Sequence, residues 1–290
     1  MSGEPVGPAD ELGPLLEEFR RLCRVRGWRL AVLNVRDDSL PFLRSLGLRS
    51  VKLGDEAVIR PETFSLEGRP IRKVRQSVTR LHKAGYRVDV LRAGEIGDEL
   101  RAELERVSDE WRGNAPERGF TMAMDSLFAE PDTLIAVACG PDGRVGGFMH
   151  LVCSPADGGL SLSAMRRSRD TPNGLMEFLV AETVAWAHRA GVPEISLNFC
   201  IFTDLLHGGL GRSLTGRTAR FALLRLDRLF QIERMHAFNR KFFPEWRSRH
   251  VCFERLADAP VVGLAYLRAE SLLTPPGPWT RRRERIAVSS

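Results

Sequence analysis

Three arginines crowd one turn of this 290-residue chain. Arg166, Arg167 and Arg169 stand in RRSRDTPNG (166–174), just ahead of an apolar run at 174–190 that reads as a helix. Free N–H groups and the dipole at a helix start favour anions. The turn therefore suits phosphates of a nucleic acid, a lipid or a nucleotide, with a solvated arginine cluster as the plainer alternative. A turn that cradles the pyrophosphate of an acyl-CoA reads Arg/Gln-x-x-Gly-x-Gly/Ala. This one has a single glycine, Gly174, and a proline, which argues against acyl-CoA. Asp109 and Glu110 end a second helical stretch, 97–111. Carboxylates there oppose the helix dipole, so they have a cationic partner such as Arg112 or Arg118, or they serve an acceptor hydroxyl or amine as a base. Lysine occurs only at 52, 73, 83 and 241. Lys241 is therefore expected to touch a carbonyl or phosphate as a point charge.

Other chemistries are excluded. The six histidines (82, 150, 188, 207, 236, 250) make no Ser/Asp constellation, so no hydrolase triad is read. His150 alternates into a strand and is expected to be a satisfied core residue. Cysteines 23, 139, 153, 200 and 252 are dispersed and have no zinc spacing, so no metal is expected. Lys+Arg number 43 against 37 Asp+Glu, a net of +6 that keeps nucleic acid and anionic lipid among the partners. No apolar run reaches 18 residues, so no transmembrane segment is expected. The acidic N-terminus has no apolar h-region. The expected location is cytoplasmic, with peripheral contact at the inner membrane face left open.

The elements that must position these residues follow from periodicity. Residues 11–26 carry Leu15, Phe19, Leu22 and Cys23 at helical spacing. A strand at 29–35, a short helix at 38–46, and a strand or hairpin around Gly54 at 51–59 complete a small α/β piece. Ile71, Val74, Val78 and Leu81 make the apolar stripe of a basic helix over 69–85. Its Arg72 and Arg75, with Arg217, Arg220 and Arg228 of a long amphipathic helix at 216–240, are candidate contacts for the phosphates of a nucleic acid. Between these lie a strand at 86–92, the 97–111 helix, three antiparallel strands at 134–140, 144–153 and 159–167, the 174–191 helix and a strand at 194–199. The runs HVCFERL (250–256) and VVGLAYLR (261–268) read as closing strands, and a basic disordered tail begins near 275. No internal repeat is visible. A helix, three antiparallel strands, a helix and a further strand is the order of a GNAT-type acyltransferase core.

Five stretches lie in a familiar order: FSLEGRPIRKVRQSVTRLHKAGY (64–86), VSDEWRGNAPERGFTM (107–122), GLSLSAMRR with PNGLMEF (159–178), EISLNF (194–199) and FQIERMHAFNRKFFPEWRSRH (230–250). Over about residues 50–253 the chain resembles the catalytic domain of phosphatidylglycerol lysyltransferases, the multiple peptide resistance factor family. The resemblance implies an α/β, GNAT-like acyltransferase fold in tandem with a truncated N-terminal half. It divides the chain into a half-domain at 1–68 and a catalytic domain at 69–290. It implies transfer of an aminoacyl group from aminoacyl-tRNA, which is co-substrate rather than cofactor, to a hydroxyl or amine. The acceptor is a phosphatidylglycerol-type lipid or a soluble small metabolite. An acyl-CoA-dependent N-acyltransferase and a non-catalytic tRNA- or lipid-binding protein are the alternatives.

The resemblance also carries site residues across. The family's Ser-Leu-Asp-Leu-Met-Arg-Arg matches at Arg166 and Arg167, but Ser163 stands at the Asp position. A hydroxyl there accepts a hydrogen bond but does not neutralise a cation, so a neutral donor amino acid gains weight over lysine. Asn198 matches the strand-end Asn, placed to bind the donor's backbone atoms or to satisfy local backbone. Lys241 lies in the match to Tyr-Lys-x-Lys-Phe-x-Pro-x-Trp, and Phe243 stands where the family often has His or Asp. Arg166, Lys241, Asn198 and Ser163 are thus the expected catalytic set. Arg167, Asn173, Asp109, Glu110 and Phe199 are expected to bind substrate.

Overall fold

The computed structural model describes residues 1, 3, 5, 7–113, 127–154, 157–201 and 229–269. Arg217, Arg220 and Arg228, the upper part of the expected 216–240 helix and the basic tail lie outside the described residues. In chain order the elements are α1 (Ala9–Val25), β1 (Ala31–Arg36), α2 (Leu40–Ser45), β2 (Arg49–Ile59), α3 (Arg72–Lys83), β3 (Arg87–Arg92), α4 (Asp98–Arg112), β4 (Leu134–Cys139), β5 (Val145–Cys153) and β6 (Leu160–Arg167). Then come α5 (Leu175–Arg189), β7 (Ile195–Ile201), α6 (Leu229–Asn239), β8 (Glu245–Phe253) and α7 (Ala259–Ala269).

All eight strands join one sheet in the order β1-β8-β2-β7-β6-β5-β4-β3. β2 pairs with both β7 and β8, so the sheet is continuous across residue 68. The stripe read from α3 packs as expected, with Ile71, Val74, Val78 and Leu81 buried against Leu175, Phe178 and Leu179 of α5 and against one face of the sheet. α4 covers the other face through Leu104 and Val107, which meet Ile135, Val137, Phe148 and Ala164. The order of a helix, three antiparallel strands, a helix and a parallel strand is present, and the fold is α/β and GNAT-like.

One local expectation is corrected. Residues 261–268 are not a strand but lie in helix α7. Ala259, Val262 and Tyr266 recur at helical spacing and pack on Leu33, Phe199, Val251 and Phe253, leaving Val261 and Leu264 exposed. A short apolar run fits either period, and the available neighbours decide. Of the strand or hairpin expected at 51–59, the structure forms the strand, Arg49–Ile59, and the shift in register between Lys52 and Gly54 absorbs the glycine within the ladder.

The sheet also contains a repeat that the sequence hides. α1 and α5 each end at a glycine in the left-handed region, Gly27 (φ 67°) and Gly191 (φ 70°), and each leads into a strand. Those strands, β1 and β7, break register alike: Val32 to Val35 spans Cys252 to His250, and Ser196 to Phe199 spans Val58 to Glu56. An asparagine with positive φ sits in each bulge, Asn34 (62°) and Asn198 (72°). The partner strands β8 and β2 pair with each other at the centre, through Gly54 with Arg249 and Asp55 with Ser248. The helix–strand–helix–strand unit thus occurs twice about a local two-fold relation.

Candidate functional site

The strands part at β6 and β7. Their parallel pairing holds only at Leu160 with Ile195 and Ser161 with Ser196. Beyond it the Asn198 side chain bridges the gap: Nδ2 donates to the Leu162 carbonyl at 3.2 Å, and Oδ1 accepts from the Phe199 N–H at 2.8 Å. Positive φ at a non-glycine residue is costly and collects at functional sites. Here the side chain stabilises the turn of backbone that opens the sheet. Ser163 and Arg166 lie on the parted stretch of β6.

Ser163 is an extra residue in the β5–β6 ladder, since His150 faces Ala164 and Leu151 faces Leu162. Gly147 lets β5 approach β6 closely; a Cβ there would meet the Arg166 carbonyl at 2.9 Å. Arg166 is 2% exposed, an unusual state for a guanidinium. It donates to the Ser108 hydroxyl of α4 and lies 5.5 Å from the Trp111 ring centre. His150, also 2% exposed, shares that face and lies edge-to-face with Phe128, ring centres 6.4 Å apart. Burial first, and the Arg166 charge second, push its imidazole down to a pKa of about 4, so it is neutral at pH 7. Both ring nitrogens, and the Ser163 hydroxyl, are buried without a hydrogen-bond partner among the described residues. The expectation of a satisfied core histidine is therefore wrong: the strand buried His150 for its position and supplied no acceptor or donor.

Glu110 ties α4 to the loop after β6. Its carboxylate accepts from the Ser168 hydroxyl at 2.7 Å and the Arg169 N–H at 2.9 Å, and these bonds hold it below the usual carboxylate range. Asp109 pairs with Arg112, one of the two partners expected for it. The loop then reaches Gly174 (φ 87°), which caps α5 where Ser77 and Arg80 of α3 leave no room for a Cβ. Arg80 donates to the carbonyl of exposed Asn173. In the first turn of α5, Glu177 accepts from Lys241 Nζ at 2.7 Å, and that ammonium lies 5.1 Å from the Phe238 ring.

Of the expected residues, the fold thus gathers Ser163, Arg166 and Glu110, with Asn198 at the adjoining edge. Arg167 is half-buried near the same strand end. Lys241 stands at the α5 first turn, bound to a carboxylate rather than open to a carbonyl or phosphate. Phe199 packs in the cluster under α7. Arg75 is spent on the chain itself, donating to the carbonyls of Leu66 (2.6 Å) and Gly68 (2.9 Å), whereas Arg72 is exposed. His150, Ser108 and Trp111 were missed. Alternation along β5 places His150 with Phe148, but only strand pairing sets it beside Arg166. Among the described residues no cluster of His, Cys, Asp and Glu would hold a metal, and no helix is long and apolar enough to cross a membrane.

Residues 1–253 match the family described as phosphatidylglycerol lysyltransferase, C-terminal. The lysylphosphatidylglycerol biosynthesis bifunctional protein LysX of Mycobacterium marinum is 37% identical over 280 residues, 95% of this chain and 25% of its own length. The chain thus spans about a quarter of that curated relative. Among solved structures, L-PGS from Bacillus licheniformis superposes with a TM-score of 0.76 at 24% identity, over 93% of this chain and 81% of that one. A C-terminal domain from Agrobacterium fabrum, assigned to a lysylphosphatidylglycerol synthetase, gives 0.76 at 25% identity, over 92% and 81%.

Proposed function

The chain belongs to the phosphatidylglycerol lysyltransferase C-terminal family, and on that premise we propose that it transfers an aminoacyl group from aminoacyl-tRNA to an acceptor hydroxyl or amine. A phosphatidylglycerol-type lipid is the acceptor that the relatives' names favour; a soluble small metabolite is the second. The observation that carries the reading is the buried Arg166 guanidinium on the parted stretch of β6. An aminoacyl ester is already activated, so positioning and oxyanion stabilisation are what the protein must add.

In this reading the acceptor oxygen or nitrogen attacks the ester carbonyl between β6 and β7. Arg166 donates to the carbonyl oxygen as it gains charge. The new acyl bond forms, the bond to the ribose oxygen breaks, and the acceptor's proton ends on that ribose oxygen. Ser108 and Trp111 hold the guanidinium, and Asn198 holds the strands apart. Glu110 supports the reading against acyl-CoA. Its carboxylate already occupies the Arg169 amide, in the turn where a pyrophosphate would need free N–H groups.

The test is transfer of radiolabelled amino acid from charged tRNA into phosphatidylglycerol vesicles. Arg166→Met is expected to lower kcat by about 10²–10³-fold, the usual loss for one oxyanion donor. Label that stays on every tRNA in the presence of the unaltered chain, with vesicles or with cell extract as acceptor source, would refute the proposal.

A further inference from the structure

Two buried polar groups on the α4 face of the sheet, the His150 imidazole and the Ser163 hydroxyl, have no hydrogen-bond partner among the described residues. They sit on neighbouring strands at the β6 bulge, where His150 pairs with Ala164, the residue after Ser163, and adjacent strands run about 4.8 Å apart. Native interiors seldom leave such groups unmade, because each costs the full desolvation of a donor or acceptor. Arg166, bound to Ser108, is the third member of the cluster.

We propose that His150, Ser163 and Arg166 form a buried subsite for an uncharged aminoacyl side chain, so that this chain takes its donor from tRNA bearing a neutral rather than a cationic amino acid. The inference rests on the aminoacyl-transfer reading, which puts the acyl group against the same stretch of β6. His150 itself reports the electrostatics. The burial and the Arg166 charge that strip its proton act equally on a lysine ammonium placed beside it. Ser163 offers a lone pair and no charge. On α4, the Asp109 carboxylate is bound to Arg112, and Glu110 to Ser168, Arg169 and Arg106. A serine or asparagine side chain supplies a donor and an acceptor to the two unpartnered groups.

The probes are 3′-aminoacylamino-3′-deoxyadenosines carrying alanine, serine, asparagine, lysine or arginine, whose amide resists hydrolysis. Calorimetric titration of the full chain is expected to show at least one neutral probe binding at least about tenfold tighter than either cationic probe, a difference of one decade in Kd. Ser163→Asp is expected to narrow or reverse that preference, and His150→Phe to weaken the seryl and asparaginyl probes most. If Ser163→Asp does not fold, the panel on the unaltered chain still decides. A lysyl or arginyl probe that binds as tightly as every neutral one, or lysine transferred from tRNA in preference to all neutral amino acids, overturns the inference and leaves the transferase reading intact. If no probe binds and no charged tRNA is consumed, the transferase reading fails and the subsite fails with it.

Discussion

Lowering the pH should find out whether His150 is held neutral as the structure implies. Its pKa is about 4 in the fold and about 6.5 in an unfolded chain. The unfolded state therefore binds the extra proton across the window from pH 6.5 to 4. A depressed pKa of this kind adds stability that is present above pH 6.5 and is lost as pH falls through the window. Two and a half units correspond to roughly 3 kcal/mol in the limit, of which about 2 kcal/mol should be gone by pH 5. The chain carries five other histidines besides His150. The measurement is therefore a difference. Urea unfolding of the unaltered chain and of His150→Phe is followed at pH 7, 6 and 5. The variant keeps an aromatic ring beside Phe128 and Phe148 but has nothing to protonate there. The unaltered chain should lose about 2 kcal/mol more than the variant between pH 7 and pH 5. Equal losses in the two proteins would refute a buried, neutral imidazole and remove the electrostatic support for the neutral-donor subsite.

Other outcomes follow from single contacts. Gly174→Ala must place a Cβ against Ser77 and Arg80 at φ 87°, so thermal unfolding should fall by an amount equivalent to about 2–4 kcal/mol, combining left-handed strain with overpacking. Arg72→Ala should weaken tRNA binding and lower its salt slope by about one. Arg75→Ala should instead lower the urea midpoint, since its guanidinium closes the 66–68 loop; a filter-binding assay alongside urea curves separates the two. Glu110→Gln should speed amide exchange at Arg169, whose N–H bond to the carboxylate it weakens, and unchanged exchange would show that the loop is held otherwise.

Much of the architecture was legible from periodicity. The stripe of Ile71, Val74, Val78 and Leu81 has one helical solution, because burial on one face imposes the period, and the short apolar runs across 134–167, divided by the PDG and ADGG turns, read as strands. VVGLAYLR was not legible: eight residues with five large apolar side chains fit a strand or a helix, and only the cluster around Phe199, Val251 and Phe253 chose. The local two-fold was invisible for a similar reason. Gly27 and Gly191, and Asn34 and Asn198, share a backbone conformation, while the side chains around them share little.

The sequence by itself determined the family and the GNAT-like order of elements, because these rest on short motifs in order and on local periodicity, and it marked Arg166 as a candidate. Set against the family's motif, Ser163 also stood out as a departure that removes a charge. Only the tertiary structure decided what each polar group touches. It gave Glu110 to the Ser168–Arg169 loop, Lys241 to Glu177 and Arg75 to two carbonyls, and it left His150 and Ser163 side by side with nothing to bond. Those outcomes depend on strand register and on which helix covers which face. Register is set by the summed packing of the whole sheet, where one bulge at Ser163 or Asn198 re-aims every side chain beyond it.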